Sequence, residues 1–153
     1  MRVLIGVGNE YRRDDGVGPA LVARLAGSAP PGVTLSVVDG EPSQLLDAWD
    51  GAQLAVVVDA VLCEPSSPGR IHRTTLGDAY PAGTSASTHG LGIPDALGLA
   101  EALGRAPARL VVFAVEAADL GFGVGLSEPV ADAMPELSRL VLDELRASAE
   151  GRP

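Results

Sequence analysis

Val3-Leu4-Ile5-Gly6-Val7-Gly8-Asn9-Glu10-Tyr11-Arg12-Arg13-Asp14-Asp15-Gly16-Val17-Gly18-Pro19 leads from an apolar run, across a glycine-bearing acidic loop, into the helical pattern Ala20-Leu21-Val22-Ala23-Arg24-Leu25. A strand that feeds a helix in this way is the opening unit of a βαβ fold. Gly6 and Gly8 suit a tight turn, because glycine tolerates backbone angles barred to other residues. Gly18-Pro19 fits a helix start, where the missing proline N–H costs nothing. The adjacent acids Asp14 and Asp15 admit three readings. They can cap the helix or complement its positive end. They can belong to a dinucleotide fingerprint, but Tyr11 stands where G-x-G-x-x-G needs its third glycine, and two carboxylates would repel a pyrophosphate. Or one of them can be a metal ligand or catalytic carboxylate at the mouth of the sheet.

Outward from this unit the same alternation continues. Strands are predicted at Arg2–Val7, Val33–Val38, Gln53–Val58 and Arg109–Val115, and helices at Pro19–Ala26, Ser43–Trp49, Ile93–Leu103 and Pro129–Ala147. Leu54-Ala55-Val56-Val57-Val58 is continuously apolar, the pattern of a strand covered on both faces. Leu45, Leu46 and Trp49 fall at helical spacing, as do Val130, Ala133, Met134, Leu137, Val141 and Leu145 in the last helix. Arg70–Thr75 alternates weakly and is polar enough for a sheet margin. Ala79–His89, rich in Ser, Thr, Gly and Ala, reads as irregular. The expected fold is a three-layer α/β domain over residues 1–153, with a frayed tail at 148–153. It is built on a mainly parallel, twisted sheet of about five strands with helices on both faces.

The totals exclude several functions. The chain has 153 residues, 46% of them hydrophobic, enough for one proper core. A net charge of −9 argues against nucleic-acid and anionic-membrane partners, which need basic patches. All eleven cationic residues are Arg. Without lysine there is no Walker-type phosphate loop and no Schiff base. Cys63, the lone cysteine, permits neither an internal disulfide nor a thiolate cage, and Val61-Leu62-Cys63 reads as a buried apolar thiol. No charged-then-apolar leader opens the sequence, and no apolar run reaches the ~20 residues that span a bilayer, so the protein is expected in the cytoplasm.

In a parallel sheet, ligands bind beyond the carboxyl ends of the strands. Four acids are placed at or just past such ends: Asp15, Asp39, Asp59 and Glu116. Asp59 follows Ala55-Val56-Val57-Val58 and precedes Ala60-Val61, a setting that makes a carboxylate costly unless donors or a metal compensate it. The bland alternative is a turn cap that accepts backbone N–H groups. Of the two histidines, His72 lies between Arg70 and Arg73 and reads as an exposed strand residue, so His72→Ala is expected to be nearly silent. His89, in Ser87-Thr88-His89-Gly90, suits a ligand or proton carrier at a helix entrance. Asp15, Asp59 and His89 together offer two oxygens and one nitrogen, a set that a borderline divalent ion such as nickel or zinc accepts. Their spacing is not diagnostic. A Ser87–His89–Asp59 triad is disfavoured, because neighbouring Ser and His in one loop give poor geometry.

Several of these stretches resemble the [NiFe]-hydrogenase maturation endopeptidases. They are Met1–Asn9 followed by Asp14-Asp15-Gly16-Val17-Gly18, Asp39-Gly40 with Leu45-Leu46, Val58-Asp59-Ala60, His89-Gly90-Leu91-Gly92, and Gly125-Leu126-Ser127 before the final helix. The resemblance implies a peptidase that removes a C-terminal extension from the hydrogenase large-subunit precursor once nickel has been inserted. It implies Asp15, Asp59 and His89 as metal-binding residues and Asp39 as a supporting acidic position. Some members carry Glu where Asp15 stands, one methylene longer. Nickel would be carried by the substrate, leaving the isolated protein with little or no metal. Two other functions stay open at this point: an assembly chaperone that reads the precursor without cutting it, and a small Rossmann-like nucleotide-binding protein.

Overall fold

A computed structural model describes residues 1–75, 84–87 and 92–150, with the side chains of 84–87 and 148–150 left out. The chain runs β1 (Arg2–Val7), a 3-10 turn (Arg13–Gly16), α1 (Val17–Leu25), β2 (Val33–Val38), α2 (Pro42–Trp49) and β3 (Leu54–Cys63). It continues through β4 (Ile71–Thr75), β5 (Thr84–Ser87), α3 (Gly92–Ala102), β6 (Leu110–Glu116) and α4 (Glu128–Glu150). The sheet order is β2-β1-β3-β6-β4, with β5 paired to β3 off this path. β1, β2, β3 and β6 are mutually parallel, whereas β4 and β5 run antiparallel to their neighbours. The α/β fold and its helix-flanked, mostly parallel sheet are as expected from sequence, and β4 is the polar margin strand.

Helices cover both faces. α1 and α4 pack on one side of the sheet through Leu21, Leu25, Val130, Leu137, Val141 and Leu145, against Leu4, Val56, Val58 and Phe113. α2 and α3 cover the other side through Leu45, Trp49, Ile93 and Ala96, against Val3, Ile5, Ala55 and Val57. The continuous apolar strands follow directly, because alternate residues face different helix layers and both layers are dry. Ala133, expected in the α4 stripe, is only half-buried, and α4 runs to Glu150, past the expected end at Ala147.

Two expectations are corrected. β3 does not stop at Val58 but continues to Cys63, because β6 pairs with it as far as Val61↔Glu116 and β5 pairs with its last residues. Part of Ala79–His89 is also regular, since Thr84–Ser87 forms β5. The remainder of that stretch, His89 included, lies outside the described residues.

Gly6 and Gly18 set how closely α1 approaches the sheet. A Cβ on Gly18 would stand 2.5 Å from the Val7 backbone nitrogen and 2.7 Å from the Val58 carbonyl oxygen, and one on Gly6 would strike the Gly18 carbonyl. Gly6 is therefore a packing residue inside β1 rather than part of a turn. At Gly18 the nearest atoms are all backbone, so no side chain can swing aside. Gly18→Ala is expected to cost about 3 kcal/mol or more through overpacking, to be read as a lowered midpoint in urea denaturation. An unchanged midpoint would show that α1 can lift off the strands without penalty.

Candidate active site

The order β2-β1-β3 places the switch point of the sheet between β1 and β3. The chain leaves β1 toward one edge and β3 toward the other, which opens a crevice at their carboxyl ends. The 3-10 turn after β1 packs there against β3.

Asp14 and Asp15 both lie in that turn and both are buried, yet they do different things. One Asp14 oxygen accepts the backbone N–H groups of Ala118 at 2.8 Å and Asp119 at 3.1 Å, and the Ser127 hydroxyl at 2.8 Å. The other accepts the Ser127 backbone N–H at 2.7 Å. Asp14 thus ties the first loop to the loop that follows β6. The same two loops are joined by Arg13 N–H to Gly123 O at 3.0 Å and Gly123 N–H to Tyr11 O at 2.9 Å. Neither acid caps α1, whose N-cap is Gly16 with no side-chain hydrogen bond.

Asp15 turns instead toward the β1 end. Its Oδ2 accepts the Asn9 backbone N–H at 3.0 Å, and the Arg12 guanidinium stands 3.9 Å away. Gly8 lies against it with φ +144°, and a Cβ there would collide with the Asp15 carbonyl. This glycine is required both by its backbone angle and by the close approach.

Asp59 is fully buried. It sits within β3 rather than at its end, but it is the first residue beyond the β1–β3 ladder, which closes at Gly6↔Val58. Alternation puts it on the α2/α3 face with Ala55 and Val57. Farther along, Val61 lies opposite Ser87 of β5. Ser87 comes two residues before His89, just as Val61 comes two residues after Asp59.

Asp39 is exposed in the loop after β2. Its N–H donates to Gln44 Oε1 at 2.9 Å, and its Oδ1 accepts the Glu41 N–H at 3.2 Å. It borders a groove of about 600 Å³ lined also by Gly8, Val38, Gln44 and Ala48. Asp15, Asp59 and Asp39 therefore all belong to the carboxyl-end side of β1, β2 and β3.

Three residues depart from their sequence reading. His72 is not an exposed strand side chain: its Nε2 lies 2.6 Å from Glu116 Oε2. Glu116 is buried at the end of β6 and also accepts the Ser67 N–H at 2.7 Å. Cys63 is half-buried rather than sealed in an apolar core, and it lies beside both. Strand alternation alone could not reveal this cluster, because it depends on the register that sets His72 opposite Ala114 of β6.

Burial pushes the Glu116 carboxyl up, but hydrogen bonds from His72 and Ser67 and the nearby charges of His72 and Arg70 outweigh it, so the net shift is downward. A carboxylate whose folded pKa is depressed stabilises the fold above its unfolded pKa, and that contribution is lost as pH falls through the folded value. His72→Ala removes one of the opposing hydrogen bonds, so acid unfolding, followed by circular dichroism, is expected to begin at a higher pH than in the wild type. An identical acid transition would show that the His72–Glu116 pair contributes nothing.

This doubly covered sheet, with acidic loops at one rim, has the build of a small α/β enzyme. The family model for hydrogenase maturation proteases, HycI, matches residues 19–144, well over half of the chain, and the chain belongs to that family. It is accordingly a peptide-bond hydrolase, which removes the nucleotide-binding alternative. A search of curated proteins found no match. Among solved structures, the Escherichia coli hydrogenase maturating endopeptidase HybD superimposes with a TM-score of 0.80 at 24% identity, covering 96% of this chain and 93% of that one. The [NiFe] hydrogenase maturation protease HybD of Thermococcus kodakarensis gives 0.75 at 27% identity, covering 92% and 97%. HycI from the same organism gives 0.66 at 23%, covering 95% and 92%.

Proposed function

We propose that this protein removes the C-terminal extension of a [NiFe]-hydrogenase large-subunit precursor in the cytoplasm after nickel insertion, using the nickel as its recognition mark. The observation that carries this reading is Asp59, a fully buried carboxylate immediately past the β1–β3 ladder at the switch point of the sheet. A carboxylate there is costly to desolvate and gains most when a cation enters beside it. Asp15 supplies a second buried carboxylate from the adjoining loop. His89 completes the set as an imidazole ligand. Supporting this assignment, β5 ends two residues before His89 and pairs antiparallel with the end of β3, the strand that carries Asp59.

Nickel is substrate cargo in this scheme. The precursor's own groups hold it, and Asp15, Asp59 and His89 fill its open positions. The scissile bond is thereby fixed at one place, and proximity supplies much of the acceleration. Asp39 lies on the bordering groove, which gives room for the chain beside the scissile bond, and it assists as a supporting acid. Binding must be loose enough to release a product that keeps its nickel, so the isolated enzyme is expected to carry little or none. No helix among the described residues is long and apolar enough to cross a membrane.

The deciding experiment incubates the purified protein with nickel-loaded and nickel-free precursor and follows the C-terminus by mass spectrometry. Loss of the C-terminal peptide from the loaded form alone is the expected result. A loaded precursor that is bound but stays intact would favour the non-cleaving chaperone, and cutting of both forms would remove nickel from recognition.

A further inference from the structure

We infer that Cys63, His72 and Glu116 form a second cation site, suited to a thiophilic divalent ion such as zinc and separate from the Asp15–Asp59 crevice. Cys63 Sγ, a His72 ring nitrogen and a Glu116 carboxylate oxygen all lie within 4.8 Å of one another. They converge from the end of β3, the start of β4 and the end of β6. Alternation and register place all three on the α2/α3 face of the sheet.

The chemistry of the set is selective. Thiolate with imidazole favours zinc, cobalt or nickel over magnesium and calcium, which prefer all-oxygen shells. Three protein ligands leave a fourth tetrahedral position for water or an incoming group. The supporting shell is in place. The Ser67 N–H holds Oε1 of Glu116 at 2.7 Å, which leaves Oε2 directed at His72. The backbone is fixed as well, by Glu116 N–H to Arg70 O at 2.9 Å and Gly69 N–H to Glu116 O at 2.8 Å. Such outer hydrogen bonds orient metal ligands.

The 2.6 Å separation of His72 Nε2 and Glu116 Oε2 is a hydrogen bond, shorter than the roughly 3.3 Å that bond lengths near 2.0 Å impose on neighbouring tetrahedral ligands. An entering ion takes the place of the shared proton and spreads the pair by a side-chain adjustment. Binding also releases the Cys63 thiol proton to solvent. Asp59 stands opposite Ala114, which stands opposite His72. Two strand spacings of about 4.8 Å therefore separate Asp59 from His72 along the sheet, so one ion cannot serve both sets.

Cobalt(II) chloride, added anaerobically to the reduced full-length protein, tests the assignment. Cys63 is the only cysteine, so a near-ultraviolet thiolate-to-cobalt charge-transfer band reports this site alone. The expected result is a band that saturates at one equivalent and is bleached by zinc chloride. It should be absent in Cys63→Ser and weakened at least about tenfold in affinity in Glu116→Gln and His72→Ala. Asp59→Asn should keep it, so the outcome stands whether or not the precursor is cleaved. A wild type without the band overturns the proposal even if a variant fails to fold. So does a band that persists unchanged in folded His72→Ala and Glu116→Gln, checked by circular dichroism.

Discussion

Asp59→Asn is expected to lower cleavage of nickel-loaded precursor by about 10²–10³-fold or more, while the purified variant melts no lower than the wild type. The amide matches the carboxylate in shape, so β3 keeps its pairing with β6 on one side and its packing under α2 and α3 on the other. What is lost is the negative charge. At a fully buried position that charge carries a desolvation cost, which asparagine removes. Stability held or gained together with lost function is the signature of a group retained for chemistry rather than folding. The proposal makes the nickel of the precursor the partner of this charge. The variant should therefore also bind loaded precursor more weakly, with little change toward the nickel-free form. Cleavage at the wild-type rate would remove Asp59 from the site. A melting temperature lowered by many degrees would recast it as a structural acceptor.

Glycine and proline punctuation made much of this architecture readable. β1 and β2 have the expected bounds because Gly8 and Asp39-Gly40 end them abruptly. β3 was read too short for a physical reason. Asp59 interrupts the apolar run, and in a single sequence a buried charge within a strand looks the same as a strand end. Only the ladders to β6 and β5 carry the strand on to Cys63. β5 escaped notice because Thr84–Ser87 is held by pairing with the end of β3, not by a hydrophobic pattern of its own. The cluster at Cys63, His72 and Glu116 was hidden in the same way. Each residue has an ordinary local context, and their convergence is a property of register, which composition does not encode. Asp15 and Asp39 fall in loops after β1 and β2, where the sequence puts them, whereas Asp59 is placed by its position just past the β1–β3 ladder inside a longer strand.

The adjacent acids of the first loop allow the sharpest separation of folding from function. Asp14→Ala is expected to destabilise the protein by about 3–5 kcal/mol, which for a chain of 153 residues lowers the melting temperature by roughly 10 °C. Three backbone N–H groups and the Ser127 hydroxyl converge on the buried Asp14 carboxylate, and alanine takes the shared acceptor from all four part-buried bonds at once. Asp14→Asn should fall between, since an amide keeps one acceptor oxygen but turns its NH₂ toward donors. Asp15→Ala, one position along, should lose precursor cleavage as Asp59→Asn does, with a smaller fall in stability. Its described contacts are the Asn9 N–H and the more distant Arg12 guanidinium. Thermal melts and cleavage assays on the two alanine variants therefore form a crossed pair. If Asp14→Ala melts like the wild type, the acid does not brace the two loops. If Asp15→Ala cleaves normally, the crevice has lost its second carboxylate and the recognition mechanism fails with it.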